Sequence, residues 1–438
     1  MMMQTQHGII TSATSQAEID IIDQFTDNLM AMNNKVEDIL TAVKKFPDSP
    51  LINIYCAVLY LMAQDPQITQ QQALPHLAVA KARSPNLPLR ELLLLKMIEH
   101  WLEHDYYNVM LVAVSTVGQW PQDLVNIKLA EFAFFCLGQE QYSTSYFAFL
   151  NSLKEQHENN SDFLAMLAFA QTLCGDEHFA YETVQQALNI NPHNVWAHHA
   201  LMHVALFRGE VEATLGAVEP ITNSWNSASI FIKSHNYWHL ALLHLANGDA
   251  EKALAVYQEQ FPDLCSDLVC IQIDIIALLW RLEMTGLSMA AHWPAIADKV
   301  LRYSGATIIP FLNAHFIYAL TRAGRIGDVQ QALAQIHTTT QEQTSYTQIK
   351  WVEVGLPLLN AVVAFAEQNY KKCNQLLEPI STRLACIGGS DAQDDLFYKT
   401  YMHSLTKTGQ RDQANAYWAE RLRQRTLWQR GWFDGLFL

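Results

Sequence analysis

The stretch FAQTLCGDEHFAYETVQQALNINP (Phe169–Pro192) decides the fold. Gly175 separates two runs of helical periodicity and supplies the turn between them. Ala180 and Ala187 are small enough to let two helices approach closely, and Pro192 ends the second helix. The same arrangement returns in LALLHLANGDAEKALAVYQEQF (Leu240–Phe261), around Gly248 and Ala253. Gly138, Gly175, Gly209, Gly248, Gly286 and Gly324 are spaced 37, 34, 39, 38 and 38 residues apart. A glycine ladder of this period is the signature of stacked helical hairpins. Five residues after the glycine, Ala180, Ala253 and Ala291 repeat the small side chain, and Thr214 takes that place after Gly209.

Working outward, the pattern continues more faintly. Residues 37–64 and 75–104 read as helix pairs joined by a Gln-rich loop near 64–72. Residues 355–384 and 393–428 read as two more, with Gly409 as the last turn glycine. Ser390 and Gln393 have capping-box spacing at a helix start. Arg90 and Glu91, just after Pro88, read as a first-turn charge pair. Almost nothing reads as strand and no strong linker interrupts the chain. The expectation is an all-α protein forming one continuous domain over 1–438. Within it, 1–20 is expected to be flexible, 130–345 to hold the clearest repeats, and 393–438 to form C-terminal capping helices and a tail.

Composition bounds the function. Half of the 438 residues are apolar and 28 basic residues face 43 acidic ones, for a net charge of −15. This balance argues against nucleic acid as a partner, which needs a basic footprint, and against anionic membrane surfaces. The longest apolar run, Leu268–Leu282, is broken by Gln272, Asp274 and Arg281 and reads as a buried helix, so no stable membrane insertion is expected. The opening MMMQTQHGIITSATSQ lacks the features of a secretory signal. Cys56, Cys136, Cys174, Cys265, Cys270, Cys373 and Cys386 form no paired metal spacing. They read as reduced core thiols of a cytoplasmic protein.

Histidines carry the chemical signal. With each turn glycine counted as position 15 of its repeat, His199 and His203 fall at 5 and 9. His235, Trp238 and His239 fall at 2, 5 and 6 of the Gly248 repeat, and His315 at 6 of the Gly324 repeat. Such positions share one helical face. His199/His203 and His235/His239 are both His-x-x-x-His, a spacing at which two imidazoles can grip one ion. Those four histidines are the candidate ligands of a divalent transition metal, with Asp274 as an added carboxylate. Proton transfer is equally open, because imidazole titrates near neutrality. So is the plain reading that these are packed polar residues in a chain with 17 histidines. No His-Glu-x-x-His pattern is present. Asp274 and Arg281, seven apart in one apolar helix, read either as a buried ion pair or as separate tools. In the second case Arg281 grips an anionic ligand while Asp274 orients a histidine.

The repeat units resemble tetratricopeptide repeats. That resemblance implies a right-handed α-α superhelix, a solenoid of helical hairpins curled around a central groove or pocket. It also implies that the first helix of each pair lines the groove. Several segments occur in a more specific order: NPHNVWAHHALMHVALFRGEVEATL (191–215), SHNYWHLALLHLANGDAEKALAVYQ (234–258), LLWRLEMTG (278–286), NAHFIYAL (313–320), VGLPL (354–358) and IGGSDAQDDLF (387–397). Together they resemble the tetratricopeptide repeat protein 38 family, most strongly over about 175–400. Positions matching its recurring polar residues are His199, His203, His235, Asn236, His239, Asp274, Arg281 and His315. Some relatives carry a further His and Glu where this chain has Ala205 and Leu206, and one has His-Asp in place of Glu131-Phe132. The resemblance supplies a fold and polar positions, not a reaction.

Two functions follow as expectations. In the first, the His-rich concave pocket binds a small molecule or peptide, with Asn236, Tyr237, Trp238 and Asn313 among the contacts. In the second, His199, His203, His235, His239 and His315 are catalytic, with Asp274 and Arg281, in acid/base or metal-assisted chemistry on a small anionic substrate. A homodimer, with the apolar C-terminal tail docked into a second subunit, also fits the sequence.

Overall fold

The computed structural model describes residues 3–264, 267–342 and 345–428. Among these residues the chain is helical apart from one two-stranded hairpin. That hairpin pairs β1 (Met3–Gln4) with β2 (Ile10–Thr11) and leads into α1 (Gln16–Met30). This hairpin lies within the segment expected to be flexible. Ser15 and Glu18 form a capping box at the start of α1, and the Ser12 amide donates to Glu91 Oε1 at 2.7 Å. Glu91 is thus not the first-turn partner of Arg90, which instead makes two 2.7 Å bonds to Asp123. The Gln-rich stretch is not a loop either. Asp65 caps a helical turn at Pro66–Ile68, and a π-helical turn over Thr69–Ala73 runs on into Leu74–Ala82. Glutamine is a good helix former, and one capping carboxylate suffices to start the helix.

The site is built by the elements that follow: α2 (Leu124–Leu137), α3 (Ser161–Leu173), α4 (Glu177–Ile190), α5 (Val195–Arg208), α6 (Val211–Val218), α7 (Ile230–Ala246), α8 (Ala250–Leu264), α9 (Val269–Met284), α10 (Pro310–Arg322), α11 (Ile326–Thr340), α12 (Leu356–Ala366), α13 (Asp391–Lys407) and α14 (Arg411–Trp428). Helices α3, α5, α7, α9, α10 and α12 pack side by side in one row, while α4, α8 and α11 pack against their own hairpin partners. Burial separates the two sets. In α9 every residue from Ile271 to Leu282 is buried, as a helix enclosed on all sides requires. In α11 only Val329, Ala332, Ile336 and Thr340 are buried, a single stripe at helical spacing.

The ladder glycines all adopt positive φ, from 69° at Gly209 to 104° at Gly138. Gly138 is also sterically required, because a Cβ there would lie 2.0 Å from the Ala385 carbonyl oxygen. The turn between α12 and the next helix uses Gln368 at φ 60° instead of a glycine, which is why the ladder fades there.

Segments towards both ends of the described residues return to the row. The Ser229 amide donates to the Met32 carbonyl at 2.7 Å, and Arg302 pairs with Asp65 at 2.9 Å. The loop before α13 is held to the end of α2, with Gly389 N–H donating to Phe135 O at 2.9 Å and Gln139 N–H to Gly389 O at 3.0 Å. The first turn of α13 is thereby laid across α9. One helical stretch, Thr347–Ala366, is long and apolar enough to cross a membrane, but Trp351, Leu358, Leu359 and Val362 within it are buried in the protein core. Cys56, Cys136, Cys270, Cys373 and Cys386 are free thiols; Cys265 and the tail over 429–438 lie outside the described residues.

Candidate metal centre

The centre begins with how α5 and α7 are placed. Asn194 caps α5, accepting from the amides of Trp196 and Ala197, and its Nδ2 donates to Ser161 Oγ at 2.7 Å. Asn236 Nδ2 donates to the Val195 carbonyl at 3.0 Å and sets the register of α7 on α5. With both helices so fixed, the two His-x-x-x-His pairs meet face to face.

Four imidazoles touch. Ring centroids lie 4.6 Å apart for His199–His203, 4.7 Å for His199–His239, 4.4 Å for His203–His239 and 4.7 Å for His235–His239. One ligand nitrogen each from His199, His235 and His239 falls within 4.8 Å of the other two. Around a tetrahedral ion with bonds near 2.1 Å, neighbouring nitrogens stand about 3.4 Å apart, so small side-chain movements would close the set. His203 joins through its Nε2, 3.2 Å from His199 Nε2.

Carboxylates stand behind two of the rings. His235 Nδ1 donates to Asp274 Oδ2 at 3.0 Å, which leaves its Nε2 as a lone pair. His203 Nδ1 faces Asp391 Oδ1 at 3.3 Å, close enough for an ion pair though not aligned as a hydrogen bond. This is the outer-shell pattern that orients metal-binding histidines. Aromatic rings complete the walls. Trp196 stacks on His199 at 4.3 Å, and His235 lies between Trp238 at 5.1 Å and Phe231 at 5.8 Å. Lys128 sits over Trp196 at 4.4 Å and pairs with Glu131 at 2.5 Å.

Burial keeps two of the imidazoles neutral. Burial, followed by the neighbouring imidazoles, holds His199 and His239 well below the ordinary histidine range. Both are therefore uncharged at neutral pH and able to offer lone pairs. Neither nitrogen of His239 has a hydrogen-bond partner, although the residue is fully buried.

Not every expected residue joins the cluster. His315 lies apart from it, packed against Phe311 at 4.6 Å and Phe397 at 5.6 Å, with Nδ1–H donating to the Phe311 carbonyl at 2.8 Å. Burial pushes it down to about 3. Asp274 and Arg281 do not form an ion pair with each other. Asp274 engages His235, whereas Arg281 donates to the carbonyls of Ala277 and Ala392. Trp238 is a wall of the centre, but Tyr237 is not. One residue turns a helix by about 100°, so Tyr237 faces away from both histidines of its helix. It meets Trp225 at 4.9 Å and lines a surface cleft of about 270 Å³ with Thr222, His244 and Lys252. Asn236 and Asn313 are structural ties. Asn313 Nδ2 holds the Ser304 and Ala306 carbonyls at 2.8 and 2.9 Å.

Sequence reasoning missed Asp391, Asp394 and Trp196. Asp391 follows the Ser390 cap, so the capping box located its helix start, but no spacing links it to His203. Asp394, fully buried with both oxygens unpartnered, is raised well above the ordinary carboxylate range by burial and then by Glu140. No model of a known protein family matches the chain.

Proposed function

We propose that this protein is a tetratricopeptide-like helical-repeat protein, related to the tetratricopeptide repeat protein 38 family, whose histidine centre binds a divalent transition metal. The observation that carries this reading is the convergence of nitrogens from His199, His235 and His239 within 4.8 Å of one another. A peptide laid in an open groove is less well supported, because His199, His203, His235 and His239 are between 0% and 6% exposed. Buried ligand nitrogens this close together suit an ion. Zinc is the natural occupant for neutral nitrogen ligands, with cobalt a close substitute.

His203 favours a catalytic role beyond storage of the ion. An imidazole backed by a carboxylate is the arrangement of a general base, and His203 has Asp391 behind it. Three histidines on the ion leave a coordination position open for water or substrate, as catalytic zinc sites do. Metal-assisted proton transfer or hydrolysis on a small molecule, in a cytoplasmic protein, is the function this set supports best.

Elemental analysis of purified protein, with cobalt titration of the metal-free form, tests the reading. Wild type should hold about one ion per chain, and the His235→Ala, His239→Ala double variant should lose it. Absence of uptake by the wild type, or equal uptake by the variant, would reject it.

A further inference from the structure

Arg281 is a buried cation that no side chain among the described residues neutralises directly. It is 5% exposed, and its terminal nitrogens donate only to backbone carbonyls, to Ala277 O at 3.2 Å and Ala392 O at 2.8 Å. Among the described residues no carboxylate reaches ion-pair distance of it. The acids acting on it from further away are Asp395 and Asp274, which are engaged by Lys399 at 2.7 Å and His235 at 3.0 Å. Burial lowers its pKa to about 10, so it remains charged at neutral pH. A buried charge in this condition is costly unless something answers it.

Its surroundings are rich in unmatched polar atoms. Trp238 Nε1, Trp280 Nε1, both nitrogens of His239 and Nε2 of His315 are buried without hydrogen-bond partners. The two indoles can only donate. The guanidinium lies 5.4 Å from the Trp238 ring that walls the histidines, and its charge depresses both His239 and His315. Ala392 places it at the first turn of α13, beside Asp391, where the helix dipole favours negative charge.

We infer that Arg281 binds a small carboxylate, held between its guanidinium and the histidine-bound ion. Each terminal nitrogen keeps a second N–H, and a planar guanidinium matches a carboxylate with two parallel bonds. Asp274 and Asp391 can together offset a dication, which leaves the Arg281 charge for an incoming anion. The inference rests on the metal reading for the second contact of the carboxylate; the Arg281 contact stands without it.

Acetate is the probe. Metal-free protein is titrated with acetate, and separately with inorganic phosphate, against chloride at equal ionic strength, reading thermal unfolding. Cobalt-loaded protein is titrated in the same way, reading visible absorption. Acetate should raise the Tm saturably and perturb the cobalt bands, and Arg281→Gln should weaken the apparent affinity roughly tenfold or more. Acetate acting no differently from chloride on both readouts of the wild type overturns the proposal, and this comparison decides even if the variant does not fold. Phosphate acting where acetate does not, or an Arg281→Gln protein responding like wild type, also overturns it. Lack of cobalt uptake with an Arg281-dependent rise in Tm would remove the metal reading and keep the carboxylate site. Cobalt binding without any anion effect would do the reverse.

Discussion

His239 is held by packing alone. Its ring meets the edge of Trp238 at 4.8 Å and three other imidazoles, and neither nitrogen is hydrogen-bonded. His235, by contrast, is aimed by Asp274. Asp274→Asn should therefore lower affinity for a divalent ion about 10- to 100-fold, read by competition with a chromophoric chelator. Unchanged affinity would mean that Asp274 does not orient the ring. Protons provide a second residue-scale test. His199, His239 and His315 have folded-state pKa values below the ordinary 6.5, the last at about 3. Below that ordinary value the unfolded chain takes up their protons first. The stability they allow is complete above 6.5 and is lost as the pH falls below it, towards about 3 for His315. Asp394 has the opposite sign: its raised pKa gives stability that is full below 3.8 and lost as the pH rises. Asp394→Asn should be more stable than wild type at neutral pH, and in that variant, free of the opposing contribution, the denaturation midpoint of metal-free protein should fall on acidification. A midpoint flat from about pH 7 to 4.5 would contradict the histidine part. At this scale the sequence marked the four histidines, Asp274 and Arg281 through helical spacing. It could not show that Asp274 serves His235 while Arg281 does not pair with Asp274, because both partnerships form between helices.

At the scale of the element, two glycines separate backbone freedom from close approach. Gly209 has φ 69° and open space where an added methyl group would sit, whereas Gly138 has φ 104° with the Ala385 carbonyl 2.0 Å from that position. Gly209→Ala should cost about 1 kcal/mol, the penalty for a left-handed alanine. Gly138→Ala should cost more and should also weaken metal binding, because the displaced loop leads to Asp391. Urea denaturation and cobalt titration of the two variants provide the measurements, and equal costs would mean that the contact with Ala385 is relieved freely. The ladder glycines made these hairpins readable. Gln64, His104 and Gln368 take positive φ without being glycine, so no ladder glycine marked their turns. The Gln-rich stretch misled for a related reason: local polarity resembles a loop, while Asp65 and helix propensity decide otherwise.

For the whole molecule, the return of segments towards both ends of the described residues to the central row has an energetic consequence. An open repeat array, in which each unit touches only its neighbours, can unfold piecemeal. Here Met32 meets Ser229, Asp65 meets Arg302 and Gly389 meets Phe135, all across long stretches of chain. Unfolding should therefore be cooperative, with tryptophan fluorescence and far-ultraviolet circular dichroism reporting the same midpoint. Clearly separated midpoints would show that the repeats melt independently. The sequence by itself determined the helical hairpins, their period and the face on which the histidines lie, since turn glycines and apolar periodicity act over a few residues. Only the tertiary structure decided which histidines meet, that Asp391 stands behind His203, that His315 lies apart and that no acid among the described residues reaches ion-pair distance of Arg281. Those facts depend on the register between helices and on the path of the C-terminal helices across the row, which arise from packing among residues far apart in the chain.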